Sequence, residues 1–169
     1  MGRFKRRTYT SLGEFWHDFQ YLLSRRSTIK KAMSGDLISE AFRERLMNTV
    51  TEVNDCRYCR SFHSSQAALA GVSAEELEDI TAGQISENTP ADEIPALMYA
   101  RHWAEKNAQP NRDQIQELRE YYPEPVVEAI HVILYMIRSG NLLGNTFDYL
   151  LYKISFGQWG TSSRDEPEL

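Results

Sequence analysis

The chain has 169 residues and a formal net charge of −5, with 41% hydrophobic and 25% charged residues. This length corresponds to one domain, and the balance is that of a globular protein whose core needs no disulfide scaffold. No uninterrupted apolar run approaches the ~20 residues of a membrane helix, so we predict no membrane span. The basic N-terminus lacks the apolar segment and cleavage site of a secretory signal, so we expect a cytoplasmic protein.

Positive charge is concentrated at the N-terminal end. Residues 1–31 hold eight basic side chains against two acidic ones, a local charge of +6 that leaves −11 for the remainder. Residues 1–10 form a basic arm, which in principle suits nucleic acid or an anionic lipid surface. The arm carries no extended basic stripe interleaved with aromatic residues and no recognised nucleic-acid-reading motif. We therefore expect no nucleic-acid partner and favour an arm that is solvated or docked on an acidic protein surface.

Residues 11–156 are predicted to form one helical domain, and capping patterns mark several helix starts. Ser11 and Glu14 have capping-box spacing and begin the first helix. A second helix is expected over residues 36–53, because its apolar residues recur every three or four positions. The apolar face of the first helix is Phe15, Phe19, Leu22 and Leu23, and that of the second is Ile38, Phe42, Leu46, Val50 and Val53.

Four further helices are predicted in the middle of the chain. One begins near residues 54–55 and stops at Gly71, and a short one opens at the capping box of residues 73–76 and ends near Gly83. The pair Thr89–Pro90 resembles a cap followed by proline at the first helical position, although Pro95 favours a later start. The helix after it begins at the capped segment 111–114 and ends at residue 122.

The most apolar stretch, residues 126–137, is rich in β-branched side chains and is also compatible with a buried strand. We favour a buried helix, because twelve residues is long for a strand and no second strand exists to pair with it. Gly140 is expected to end that helix. A last helix over residues 142–154 should bury Leu143, Phe147, Leu150 and Ile154, and residues 157–169 form a flexible tail. The fold class is therefore an all-α, single-domain helical bundle.

The two cysteines of the chain, Cys56 and Cys59, form one Cys-x-x-Cys followed by His63. At ~100° per residue, both thiols and the imidazole fall on one arc of a helix. The cysteines are placed in the first turn, where free backbone N–H groups and the helix dipole stabilise a thiolate. Arg57 and Arg60 add positive potential, and such an environment lowers a thiol pKa.

This arrangement suits thiol redox chemistry. A thiolate oxidised by a peroxide becomes a sulfenic acid, and a second thiol three residues away can condense with it to form a disulfide. His63 lies one turn beyond Cys59 and can accept or give a proton near neutral pH. In a reducing compartment such a pair is redox-active or metal-binding rather than a structural crosslink.

Other interpretations of the same residues stay open. A zinc site would take Cys56, Cys59 and His63 but lacks a fourth ligand, since the other three histidines are scattered along the chain. The cysteines could be an inert buried pair, and His63 could be a core histidine that is merely hydrogen-bonded. Glu44 lies opposite the apolar stripe of its helix, which predicts a solvated carboxylate. It would become a candidate proton acceptor only if that helix were buried on both sides.

The segment from Arg43 to His63 resembles the alkylhydroperoxidase D-like group of the carboxymuconolactone decarboxylase superfamily. That group carries a glutamate twelve residues before a Cys-x-x-Cys-x-x-x-His, and Glu44, Cys56, Cys59 and His63 match it. The resemblance covers about residues 36–155, with further similarity at residues 96–100 and 137–141, and leaves out the basic N-terminal segment.

The resemblance implies an all-helical fold, a homotrimer or a multiple of it, and a thiol peroxidase or disulfide reductase. Cys59 would attack the peroxide, Cys56 would resolve the sulfenate into a Cys56–Cys59 disulfide, and Glu44 with His63 would form the proton relay. Some members have a second histidine where this chain has Tyr58, whose hydroxyl could hold the same water. Helix-terminus electrostatics instead favour Cys56 as the more nucleophilic thiol, and we expect it to be the thiol that an external reductant meets.

The leading hypothesis is a peroxidase or thiol–disulfide oxidoreductase that acts on small hydroperoxides and is reduced by a lipoyl or thioredoxin-type dithiol protein. It needs no bound cofactor and no metal. The alternative hypothesis is a redox-sensing or adaptor protein, in which the disulfide controls partner binding without significant turnover. Lactone decarboxylation and a structural zinc domain rank lower.

Overall fold

The structure is a computed structural model that describes residues 4–161. Within that range the chain forms α-helices and no strand, which confirms the all-α prediction and the helical interpretation of residues 126–137. The helices of the described range are α1 (Leu12–Ser24), α2 (Arg26–Met33), α3 (Glu40–Asn54), α4 (Arg57–Leu69), α5 (Ala74–Thr81), α6 (Ile94–Glu105), α7 (Arg112–Tyr121) and α8 (Glu124–Ile154).

Three helix starts are set by the predicted caps. Ser11, Ser73 and Asn111 cap α1, α5 and α7, each accepting a hydrogen bond from the backbone N–H three residues on. The expected start at Thr89 is wrong, because the Thr89 hydroxyl donates to the buried carboxylate of Glu76 at 3.0 Å and α6 begins five residues later. The short helix α2 was not predicted, since no side chain caps its N-terminus.

Helix α8 is continuous over 31 residues, so the predicted stop at Gly140 is wrong. A Cβ at Gly140 would lie 4.0 Å from the Cys59 sulfur, and a Cβ at Gly144 would lie 3.0 Å from the Cys56 sulfur. Gly144 therefore serves close packing of α8 against the cysteine turn, whereas Gly140 leaves room for a methyl group. Neither glycine ends the helix, because tertiary packing outweighs the ~1 kcal/mol cost of a mid-helix glycine.

The centre of the fold is α3, which packs against α4, α5, α6 and α8. Its predicted apolar stripe is confirmed for Ile38, Phe42, Leu46 and Val50, which are buried in the main hydrophobic cluster. Ion pairs fix neighbouring helices around it. Arg45 of α3 binds Glu76 of α5 at 2.6 Å and Glu93, the residue before α6, at 3.0 Å, all with little exposed side-chain area.

The C-terminal half of α8 buries a polar face, contrary to the prediction. Asn141, Asn145 and Asp148 are fully buried, while the four apolar residues expected in the core are half or more exposed. The polar residues turn inward because they satisfy backbone and charged groups of the N-terminal arm and of the α3–α4 junction. The exposed apolar residues are Leu143, Phe147, Leu150 and Ile154.

Helix α8 is also the one helix of residues 4–161 that is long and apolar enough to cross a membrane. Its most apolar window has a mean hydropathy of 1.3, and 56% of that window is buried inside the protein. The core helix of a soluble protein meets the same criterion, so this feature is weak evidence for a membrane span.

Candidate functional site

The cysteines lie where α3 turns into α4. Asp55 caps the C-terminus of α3 in the left-handed conformation, with φ of 55°, which aspartate tolerates better than most residues. Cys56 follows as the N-cap of α4, one residue after the predicted cap. Arg60, one turn into α4, holds the Asp55 carboxylate at 2.8 Å and stabilises this sharp connection.

Both thiols are reduced and share the first turn of α4, as predicted. The Cys56 sulfur accepts a hydrogen bond from the backbone N–H of Cys59 at 3.3 Å, taking the place of the usual capping oxygen. Cys56 is completely buried against α8, whereas Cys59 is partly exposed. An external molecule therefore meets Cys59 first, and the expectation that an external reductant meets Cys56 is wrong.

The pKa values of the two neighbouring thiols move in opposite directions. A hydrogen bond from the Cys59 thiol lowers the pKa of Cys56 to about 7, with help from the backbone N–H groups of Cys59 and Tyr58 and against the effects of burial and of Asp148. The pKa of Cys59 is raised, first because its thiol donates that hydrogen bond and then because it is buried. The first proton lost at neutral pH thus leaves a thiolate on Cys56, bound by the Cys59 S–H.

His63 and Glu44 meet as the resemblance implied. Nδ1 of His63 lies 2.8 Å from a carboxylate oxygen of Glu44, which is 3% exposed. The expectation of a solvated Glu44 is wrong, because α4 covers the face of α3 that carries it. Arg43 binds the other carboxylate oxygen at 3.2 Å. With Nδ1 donating to the carboxylate, Nε2 of a neutral His63 is left as the proton acceptor.

Tyr58 belongs to a different network from Glu44 and His63. Its hydroxyl donates to Asp148 of α8 at 2.7 Å, and its pKa is raised by burial and by that carboxylate, so it stays a protonated donor. Arg57 binds the same carboxylate oxygen at 2.7 Å. The other oxygen of Asp148 accepts from Arg6 of the N-terminal arm at 2.6 Å. The residue between the cysteines is thereby linked to the arm through one buried carboxylate.

Sequence reasoning missed Asp148 and Arg6. A signal for Asp148 existed, since it is the one acidic residue between positions 129 and 154 and therefore breaks an otherwise neutral or basic helix segment. Arg6 was counted only as one charge of a basic arm. Its guanidinium is almost completely buried and also donates to the carbonyl of Gly160, so the described end of the predicted flexible tail is held in place; residues 162–169 lie outside the described range.

The arrangement does not form a metal centre. In residues 4–161 no group of three or more His, Cys, Asp or Glu side chains is placed to hold a metal ion, so the structure gives no support to the zinc interpretation. Of the other histidines, His131 is half-buried and its Nε2 lies 2.7 Å from the hydroxyl of Tyr99; burial lowers its pKa. A groove of about 480 Å³ runs between α6 and α7 and is lined by none of the site residues above.

The fold and the site together define a class: an all-helical protein with a Cys-x-x-Cys in the first turn of a helix and a buried Glu–His pair beside it. The chain matches no family model, no curated protein and no solved structure.

Proposed function

We propose that the protein is a thiol-dependent peroxidase, of the alkylhydroperoxidase D-like kind, that reduces small hydroperoxides through Cys56 and Cys59. The observation that carries this proposal is the placement of Cys56 and Cys59 together at the start of α4, in the same helix as His63 and its hydrogen bond to Glu44; the lowered pKa of Cys56, about 7, agrees with it. A thiolate at neutral pH, a second thiol three residues away and a base one turn on are the parts that peroxide reduction needs.

The difference in exposure between Cys56 and Cys59 supports different roles for the two thiols in the reaction. Cys59, which is partly exposed, passes its proton to the Cys56 thiolate and attacks one oxygen of the hydroperoxide, and His63 takes that proton on from Cys56. The O–O bond breaks, Cys59 becomes a sulfenic acid, and the alcohol leaves after taking a proton from His63. The Cys56 thiolate then attacks the sulfenic sulfur, forming the Cys56–Cys59 disulfide and releasing hydroxide, which is protonated to water.

A dithiol reductant completes the cycle. One donor thiolate attacks the Cys56–Cys59 disulfide and forms a mixed disulfide with one cysteine. The second donor thiol then attacks this mixed disulfide, so that both cysteines return to the thiol state and the donor leaves as a disulfide. We propose a protein that carries a lipoyl or thioredoxin-type dithiol as this donor. The net reaction converts a hydroperoxide and a dithiol into an alcohol, water and a disulfide, with no bound cofactor.

A homo-oligomer, a trimer or a multiple of it, is part of the proposal. Leu143, Phe147, Leu150 and Ile154 form a stripe at steps of four, three and four along the exposed face of α8, which suits burial against another helix. Light scattering of the wild type and of Phe147→Glu tests this part. A larger wild-type assembly that the substitution dissociates supports it, and a monomeric wild type overturns it.

The experiment for the peroxidase itself is steady-state consumption of an organic hydroperoxide with dihydrolipoamide as donor. We expect the wild type to turn over and Cys59→Ser to be inactive. Cys56→Ser should react with peroxide once, forming a single sulfenic acid per chain, and then stop. His131→Gln is the matched control, since His131, like His63, is half-buried and hydrogen-bonded but lies outside the site, and it should keep wild-type turnover. Turnover in Cys59→Ser would contradict the proposal.

One observation favours the second candidate, a redox sensor without significant turnover. The turn that carries the cysteines shares Asp148 with the N-terminal arm, so a disulfide there has a structural route to a surface segment. Rapid oxidation by peroxide combined with negligible turnover would favour the sensor over the enzyme.

A further inference from the structure

The N-terminal arm lies across α8 at the level of the cysteine turn. The backbone N–H of Tyr9 donates to the hydroxyl of Thr146 at 3.1 Å, and the side-chain amide of Asn145 donates to the carbonyl of Arg7 at 2.9 Å. The same amide donates to the carbonyl of Asn54 at 2.7 Å, two residues before Cys56. The arm and the α3–α4 junction are thus bound by one side chain.

Two neighbouring arginines of the arm point to different places. Arg6 reaches the buried Asp148, while Arg7 donates to the carbonyls of Ala104 and Glu105 at the end of α6. Both hold the arm down, but only Arg6 places its charge on the carboxylate that Arg57 and Tyr58 share. This difference provides a matched pair of positions within one segment.

Asp148 lies one turn beyond Gly144, where a Cβ would lie 3.0 Å from the Cys56 sulfur. At this position the negative charge of Asp148 disfavours a Cys56 thiolate. The groups around that carboxylate are Arg6 from the arm and Arg57 and Tyr58 from α4, of which the two arginines carry positive charge. On the α3 side of the turn, the charges of Asp55 and Glu52 are both held by Arg60. Loss of Arg6 would leave Asp148 with one cation instead of two and increase the repulsion felt by a Cys56 thiolate.

We propose that Arg6 is a positioning residue for the Cys-x-x-Cys site: by neutralising the buried Asp148 it keeps Cys56 in the thiolate form, so that the basic arm sets the pH range in which the pair reacts. The inference rests on the proposed function in taking the cysteine pair as the reactive site. It gives the basic arm an intramolecular role, with Asp148 as the acidic surface on which it docks.

The test measures the pH dependence of thiolate formation by ultraviolet absorbance in the full-length reduced protein, which requires no peroxide and no reagent that has to reach the buried Cys56. The first thiolate to form reports Cys56, because the pKa of Cys59 is raised. The variants are Arg6→Gln, Arg6→Lys, Asp148→Asn and the control Arg7→Gln, with helix content checked by circular dichroism.

Arg6→Gln should raise the midpoint of Cys56 ionisation by roughly 0.5 pH unit, which lowers the thiolate fraction at pH 6 about threefold, whereas Asp148→Asn should lower the midpoint. Arg6→Lys should restore the wild-type midpoint and Arg7→Gln should leave it unchanged. A general loosening of the arm would move Arg6→Gln and Arg7→Gln together, and that result overturns the inference. So does an unchanged midpoint in Arg6→Gln. If Asp148→Asn does not fold, the comparison of the arm variants decides.

Failure of this inference and failure of the proposed function are distinguishable. If Arg6→Gln shifts the midpoint but the wild type shows no peroxide turnover, Arg6 sets thiol ionisation in a protein that is not a peroxidase. If turnover is present and the midpoint does not move, the peroxidase stands and the role of Arg6 is refuted.

Discussion

The close packing of α8 against the cysteine turn predicts opposite effects for alanine at two glycines one turn apart. At Gly140 a Cβ would lie at an ordinary contact distance of 4.0 Å from the Cys59 sulfur. Gly140→Ala should therefore stabilise the protein by about 0.5–1 kcal/mol, the gain in helix propensity. At Gly144 the Cβ would lie 3.0 Å from the Cys56 sulfur and 3.4 Å from the Tyr58 ring, so the same gain is opposed by an overpacking cost of about 1–3 kcal/mol.

Urea unfolding of the reduced protein measures this difference. Gly144→Ala should be less stable than Gly140→Ala by about 1–3 kcal/mol, or on the order of 1 M in the urea midpoint. Each variant is the control for the other, because both make the same substitution in the same helix. Equal stabilities, or a more stable Gly144→Ala, would refute the conclusion that Gly144 is needed for contact with Cys56.

Three further predictions concern protons of the site and buried charges of the fold. Cys59→Ala should raise the pKa of Cys56 from about 7 toward the ordinary ~8.5, because it removes the thiol hydrogen bond. The pH profile of thiolate formation measures this pKa, and an unchanged profile would mean that the bond is unimportant. Glu44→Gln should slow peroxide turnover ~10²-fold without moving that profile; unchanged turnover would remove Glu44 from the relay. Arg45→Met should destabilise the fold by about 3–5 kcal/mol in urea, since it leaves two buried carboxylates unpaired, and a loss below 1 kcal/mol would contradict this.

Local rules predicted much of the fold because local chemistry determines it. The caps at Ser11, Ser73 and Asn111 were readable because a side-chain acceptor placed before an apolar run satisfies backbone N–H groups wherever the helix is packed. Helix α2 has no such cap and could not be recognised in this way. Threonine is a favourable capping residue, but the Thr89 hydroxyl instead donates a hydrogen bond to the carboxylate of Glu76 in another helix.

The polar interior of α8 was beyond the sequence pattern. Periodicity assigns apolar residues to the core, and this places Leu143 and Phe147 inside; the structure instead buries Asn145 and Asp148, whose partners come from the distant arm and from the α3–α4 junction. Long-range hydrogen bonds of this kind leave no local signal.

The candidate site was likewise predicted only in part. The position of the Cys-x-x-Cys in the first turn of α4 followed from its spacing. The contact between His63 and Glu44 agrees with the resemblance, although periodicity alone predicted a solvated Glu44. The relation of Tyr58 to Asp148 could not be foreseen, because it depends on how closely α8 approaches α4 at Gly144.

The central claim is that peroxide converts this pair of thiols into a disulfide. The most direct measurement is a free-thiol count and intact mass before and after one equivalent of an organic hydroperoxide, on the wild type and on Cys59→Ser. We predict loss of both thiols with a decrease in mass of two hydrogens in the wild type, and no disulfide in the variant. Two thiols that stay free after peroxide treatment would contradict the account.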